Sequence, residues 1–238
     1  MTPLHTAIIK LIKNPVTQYG KIFPYTKSVL RPVRRRILEF INIEIDSKPY
    51  PGHTDLLSVI DFKNGFYVVC GGNDGYGFDP TYYLEKFRNW SGIIVEPLPK
   101  AAIACRKNRK RSHVVETALV SHEYNETSID LYDCNFMSVT PSTQYDIDEW
   151  MQMGAEAQHI TPKKISVPAK TLDAVIEEYG QMTDIDLLVI DVEGSEEEVL
   201  KGLTLEKHKP RFILVEIHNE QLKQSIENLL SGSYTLVK

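Results

Sequence analysis

Three features of the sequence predict a doubly wound, mostly parallel α/β sheet of Rossmann-like type. Short apolar, β-branched runs recur along the chain, helical segments alternate with them, and a cluster of glycines follows the first run. The runs are "FYVVC", "GIIVEP", "HVVETALVS", "DLLVIDVEG" and "RFILVEIH". They are continuous rather than alternating, which is the pattern of strands covered by helices on both faces.

The intervening helices carry start signals. Asp79 followed by Pro80 opens "TYYLEKFRN", where Tyr83 and Phe87 lie one turn apart, and Thr171 and Ser195 are placed to cap "LDAVIEEY" and "EEEVLKGL". "TSIDLYDC" reads as a hairpin arm that extends the third strand region. Residues Asn135 to Pro162 show no clear period; Phe136, Met137, Tyr145, Trp150, Met151 and Met153 make this segment either an adaptable apolar lid or a packed excursion.

Ahead of these elements, Leu4, Ile8, Leu11 and Ile12 share one helical face, and Val33, Ile37, Phe40 and Ile41 share another after Pro32. Residues 1–50 are therefore expected to be a helical extension, and residues 51–238 the main domain. The extension is basic: residues 1–40 hold eight Lys or Arg against Glu39 alone, in a chain whose formal charge is -5. Such an arm on an acidic body argues against nucleic acid as a partner for the main domain and reads either as a solvated helical face or as peripheral contact with an anionic surface. Cys70, Cys105 and Cys134 are odd in number and lack metal spacing, and no early segment resembles a signal or a membrane span, so a cytoplasmic location is expected.

The glycine cluster, "VVCGGNDGYGFDP", falls where the first strand hands over to its helix, the position at which such sheets bind ligands. No Gly-Lys-Ser/Thr follows, which removes a nucleotide triphosphate loop, and no G-x-G-x-x-G is in register. Gly71 and Gly75 remain as a spaced pair, and the next strand ends in Glu96, a carboxylate able to accept both ribose hydroxyls of an adenosine. That combination suits a nucleoside without a pyrophosphate, and S-adenosylmethionine first among them. Thr117 and Ala118, at the end of the third strand, are placed to border the adenine.

"GGNDGYGFDPTYYLEKFRNWSGIIVEPLP" and "IDLLVIDVEGSEEEVLKGL" together resemble the two motif regions of FkbM-type methyltransferases. The resemblance spans about Gly65 to His218. It implies a class I S-adenosylmethionine-dependent methyltransferase acting on a hydroxyl oxygen of a sugar, glycolipid or polyketide-like small molecule. It also implies cofactor binding by Gly71, Gly72, Asn73, Asp74, Gly75, Glu96, Pro97, Thr117, Ala118 and Asp191. Two departures stand out. Val69 replaces an acid usual in the family, which leaves Asn73, Asp74 and backbone amides to hold the cofactor's amino-acid end; and only a helix and "SYTLVK" follow the last apolar run, so the sheet is expected to end early there or the chain to be truncated.

A second constellation lies at the later strand ends. Asp191 and Glu193 share a face, as do Glu216 and His218, and neighbouring strands would bring all four together. In one reading His218 is the general base, with Glu193 and Glu216 beside it. In another Asp191, Glu193 and Glu216 hold Mg²⁺. A third makes Glu193 a helix N-terminal acid. The alternatives to a methyltransferase are a nicotinamide-dependent oxidoreductase and a degenerate, non-catalytic cofactor-binding protein. The expected partner is a small-molecule or glycan acceptor.

Overall fold

In a computed structural model of the chain, the described residues are 6–11, 56–57, 59–77, 79–179 and 184–237. The apolar runs become the centre of a sheet built from β1 (Thr6–Leu11), β2 (Phe66–Cys70), β3 (Ser91–Val95), β4 (Ser112–Val115), β8 (Leu187–Ile190), β9 (Phe212–Ile217) and β10 (Thr235–Val237). Its order is β10-β1-β9-β8-β2-β3-β4, and every adjacent pair is parallel. From β2 the chain moves outward through β3 to β4, then returns to place β8 and β9 on the other side of β2. Strand direction of travel reverses between β2 and β8, and a crevice opens beyond their carboxyl ends.

Helices α1 (Tyr82–Arg88), α2 (Pro99–Asn108), α4 (Leu172–Tyr179), α5 (Glu196–Lys201) and α6 (Glu220–Leu230) cover the sheet. One face packs Val68, Cys70, Ile190 and Val215 against Leu172, Val199 and Leu222, and the other packs Tyr67, Val69, Ile94 and Val189 against Leu84, Trp90 and Cys105. Buried residues on both faces explain why the runs are continuously apolar. The three cysteines are buried and free. Among the described residues no helix is long and apolar enough to cross a membrane.

The structure corrects several local expectations. Thr6–Leu11, read as helical, is a strand between β9 and β10; the rest of the basic extension lies outside the described residues. The arm at β6 (Ser128–Asp133) pairs antiparallel with β7 (Lys163–Lys170) across the long connection, and β5 (Ala118–Leu119) joins β7 in a small second sheet. That connection holds a 3₁₀ turn at Asn135–Met137 and α3 (Ile147–Gln158), capped by Asp146 accepting from Glu149 N at 2.9 Å. Cys134, Met137, Val139 and Trp150 form a core of their own there, so the segment is a packed excursion. Its period was obscured because the turn and the helix bury different residues within thirty positions of chain. Thr171 does cap α4, accepting from Ala174 N at 3.2 Å, whereas Asp79 accepts from Thr81 one position before α1 begins.

Candidate active site

The crevice between β2 and β8 is an open cleft lined by the glycine turn, the end of β3 and the tips of β8 and β9. On one side stands the glycine turn. Gly71 sits at φ +86°, and a Cβ there would strike the Asp191 carbonyl oxygen, while one on Gly72 would strike the Ile94 side chain. Only bare backbone fits at these two positions, and both amides donate to Val95 O, at 3.0 and 3.1 Å. Glu96 follows at the end of β3, 4% exposed, its carboxylate accepting from Asn73 N at 2.6 Å and Leu98 N at 2.8 Å. Burial pushes its pKa up to about 7 against the pull of those two amides. Thr117 donates to Pro168 O at 2.9 Å, tying the end of the third strand region to β7.

Of the residues implied by sequence, Gly71, Gly72, Asn73, Glu96, Pro97, Thr117, Ala118, Asp191, Glu193 and Glu216 all line this cleft; Asp74, Gly75 and His218 do not. Asp74 turns back on its own loop, its Oδ1 accepting from Tyr76 N at 2.9 Å and Gly77 N at 2.8 Å. Gly75, at φ +67°, lies against Arg109 and Cys105, each 2.7 Å from where a Cβ would stand. Val69, which stands where the family usually has an acid, is 2% exposed and packed in the core below the turn. It points away from the cleft because strand side chains alternate.

Sequence reasoning missed the group beneath the turn. The Arg109 side chain is fully buried and donates to Asp79 at 2.6 Å, Glu85 at 3.0 Å, Tyr67 at 2.7 Å, Thr81 at 2.7 Å and the Gly75 carbonyl at 3.2 Å. No fixed spacing joins these residues. The one signal was a glutamate, Glu85, on the otherwise apolar inner face of α1. Arg109 holds the Glu85 carboxyl below its ordinary pKa despite burial.

The opposite side of the cleft is acidic. Glu193 takes a left-handed backbone, φ +55°, and the turn it occupies is held by Glu196, fully buried, whose Oε1 accepts from Val192 N at 3.2 Å and Gly194 N at 3.0 Å. Burial raises the Glu196 pKa. Ser195 occupies the cap position of α5 without capping it; its hydroxyl meets Thr140 at 3.0 Å. Thr143 donates to Glu193 O at 2.9 Å and Gln144 N to Gly194 O at 3.1 Å, so the excursion is docked on this turn.

His218 stands behind the acids. Its side chain is 2% exposed, with Nε2 at 3.5 Å from Glu216 and 4.0 Å from Glu193, and Tyr145 and Trp150 pack edge-on against the ring. Burial lowers its pKa, with Glu196 and Asp191 opposing that shift, so the imidazole is favoured neutral. Among the described residues no three His, Cys, Asp or Glu side chains are placed to hold a metal ion.

A family model described as "Methyltransferase FkbM domain" matches residues 70–233. The chain is 26% identical over 210 residues to the 2-O-methyltransferase NoeI of Sinorhizobium fredii (strain NBRC 101917 / NGR234), covering 82% of this chain and 81% of that protein. The solved structure of methyltransferase FkbM from Methylobacillus flagellatus KT is similar at 16% identity and a TM-score of 0.45, over 73% of this chain; the match spans 39% of that protein's length.

Proposed function

The chain belongs to the FkbM methyltransferase family, and on that premise we propose that it methylates a hydroxyl oxygen of a sugar, glycolipid or polyketide-like small molecule from S-adenosylmethionine. The observation that carries this reading is a single cleft that joins the glycine turn and Glu96 to the carboxylates of Asp191, Glu193 and Glu216. The NoeI relative, named a 2-O-methyltransferase, supports oxygen as the acceptor atom.

The residues present fit the cofactor. Gly71 and Gly72 offer backbone without side chains, Glu96 offers carboxylate oxygens for the ribose hydroxyls, and Thr117, Ala118 and Pro97 border the remaining wall. Bound there, S-adenosylmethionine supplies a methyl group activated on a sulfonium, so the protein has only to position, deprotonate and exclude water. Glu216 faces the cleft and takes the hydroxyl proton as the oxygen attacks the methyl carbon. Glu193 shares the acceptor wall. His218 touches Glu216 rather than the cleft, so it is a positioning residue: its neutral ring lies 3.5 Å behind the Glu216 carboxylate, close enough to donate a hydrogen bond to the ionised base before it takes the proton. No covalent enzyme intermediate is needed, which leaves the buried cysteines without a chemical role.

Incubating the full chain with S-adenosylmethionine and a panel of hydroxylated glycosides, glycolipids and polyketides tests this, with mass spectrometry reading the product. A product one methylene heavier, formed alongside S-adenosylhomocysteine, is expected. Turnover of the cofactor only on nitrogen or carbon acceptors would contradict it. A chelator should leave the rate unchanged; abolition that Mg²⁺ reverses would transfer the activating role from Glu216 to a metal held by the same carboxylates.

A further inference from the structure

Two buried carboxylates share one guanidinium beneath the glycine turn. Arg109 is 2.6 Å from Asp79 and 3.0 Å from Glu85, with side-chain exposures of 0%, 2% and 8% for the three. This trio carries one negative charge in excess, in surroundings where an unmatched charge is expensive. Tyr67, Thr81 and Ser112 donate or share protons within the group but bring no positive charge. Of the trio, Asp79 alone lines the cleft, beside Gly71, Gly72 and Asn73. Its Oδ2 accepts from Arg109, and Oδ1 accepts from the amide and hydroxyl of Thr81, so the carboxylate is fixed in orientation with acceptor capacity left on Oδ2. A cation arriving from the cleft would balance the trio.

We propose that Asp79, pre-oriented by Arg109 and Thr81, receives the α-ammonium group of the cofactor's amino-acid end. The inference rests on the reading of the cleft as an S-adenosylmethionine site and assigns the contact that determines recognition of that end. It differs from the expectation that Asn73, Asp74 and backbone amides hold this end, since the Asp74 carboxylate is taken up by its own loop. Arg109 is then a positioning residue: it aims Asp79 and, through the Gly75 carbonyl, holds the turn to which the cofactor docks.

The test is calorimetry on the full chain with two nucleosides, S-adenosylhomocysteine and 5′-methylthioadenosine, which shares the adenosine and thioether but lacks the amino acid. Asp79→Asn should weaken S-adenosylhomocysteine by roughly ten- to a hundredfold, the loss of one charged hydrogen bond, and leave methylthioadenosine within about twofold. Glu85→Gln, which touches the same arginine away from the cleft, should lower the melting temperature without changing the ratio of the two affinities. Should Asp79→Asn not fold, Asp79→Ser, able to keep a bond from Thr81, carries the same measurement. An unchanged ratio in the Asp79 variant, or equal weakening of both nucleosides, would overturn the inference while leaving the cofactor reading intact. A wild-type chain that binds neither nucleoside would overturn both.

Discussion

The two sides of the cleft are built differently. The side proposed for the adenosine is made from consecutive pieces: β2, its glycine turn, β3 and Glu96 follow one another within about thirty residues, and backbone amides satisfy the acid. The acidic side is assembled from distant ones. β8, β9 and the excursion at Asn135 to Pro162 meet only in three dimensions, and several polar atoms there, including Tyr145 Oη, Glu196 Oε2 and both His218 ring nitrogens, are buried without a hydrogen bond in this structure. Buried polar groups of this kind are normally satisfied by protein, water or ligand. In the proposed reading, cofactor binding falls to the first side and reaction to the second.

That contrast can be broken by substitutions, beginning with the largest effect. Val69→Asp, which would restore an acid at the first strand, should cost more than about 3 kcal/mol or prevent folding, because it puts an unpaired carboxylate into the core. Denaturant unfolding measures this; a stable variant with improved cofactor affinity would show that Val69 reaches the cleft after all. On the acidic side, Glu216→Gln should lower turnover about a hundredfold while S-adenosylhomocysteine affinity stays within a few-fold. Loss of affinity with turnover preserved would reverse the roles of the two sides.

Glu96→Ala acts on the adenosine side and should weaken S-adenosylhomocysteine by about 1.5–3 kcal/mol, with little effect on the rate at saturation. Its pH dependence follows from a pKa raised to about 7. The folded protein holds this proton more tightly than the unfolded chain, so the contribution of Glu96 to stability falls as pH rises from the ordinary carboxylate range through 7. Cofactor affinity should move the other way, decreasing as the pH drops below 7 and the carboxylate loses acceptor capacity, and Glu96→Ala should abolish that dependence. The smallest effect is expected for Tyr145→Phe. It removes a buried hydroxyl that makes no hydrogen bond, so stability should change by less than about 1 kcal/mol or rise slightly. A large loss would mean that the hydroxyl has a partner in solution, most simply a water shared with Glu196 or Glu193.

The same division governs what could be read from sequence. Gly71, Gly72 and Glu96 were legible because a turn's geometry and a strand end are local properties, fixed by residues a few positions apart. The strand-tip acids were legible as a set, since the two-residue period puts Asp191 with Glu193 and Glu216 with His218. The depth of His218 was not, because it depends on Tyr145 and Trp150 folding over the ring from a segment about seventy residues earlier, and no period connects them. Arg109 escaped for the same reason, and with it the true orientation of Asp79. Thr6–Leu11 was misread because Leu4, Ile8, Leu11 and Ile12 fit a helical spacing, whereas Thr6–Leu11 pairs in parallel with β9.

The central claim is that one cleft binds an adenosine cofactor carrying an amino acid on its glycine and Glu96 side. Isothermal calorimetry of the wild-type chain with S-adenosylmethionine, S-adenosylhomocysteine and NAD tests it most directly. The account predicts one site that binds S-adenosylmethionine and its homocysteine product, with both affinities reduced in Glu96→Ala, and no measurable binding of NAD. Binding of NAD in preference to S-adenosylhomocysteine would contradict it in favour of an oxidoreductase, and binding of neither would leave the fold without the cofactor on which the proposed chemistry depends.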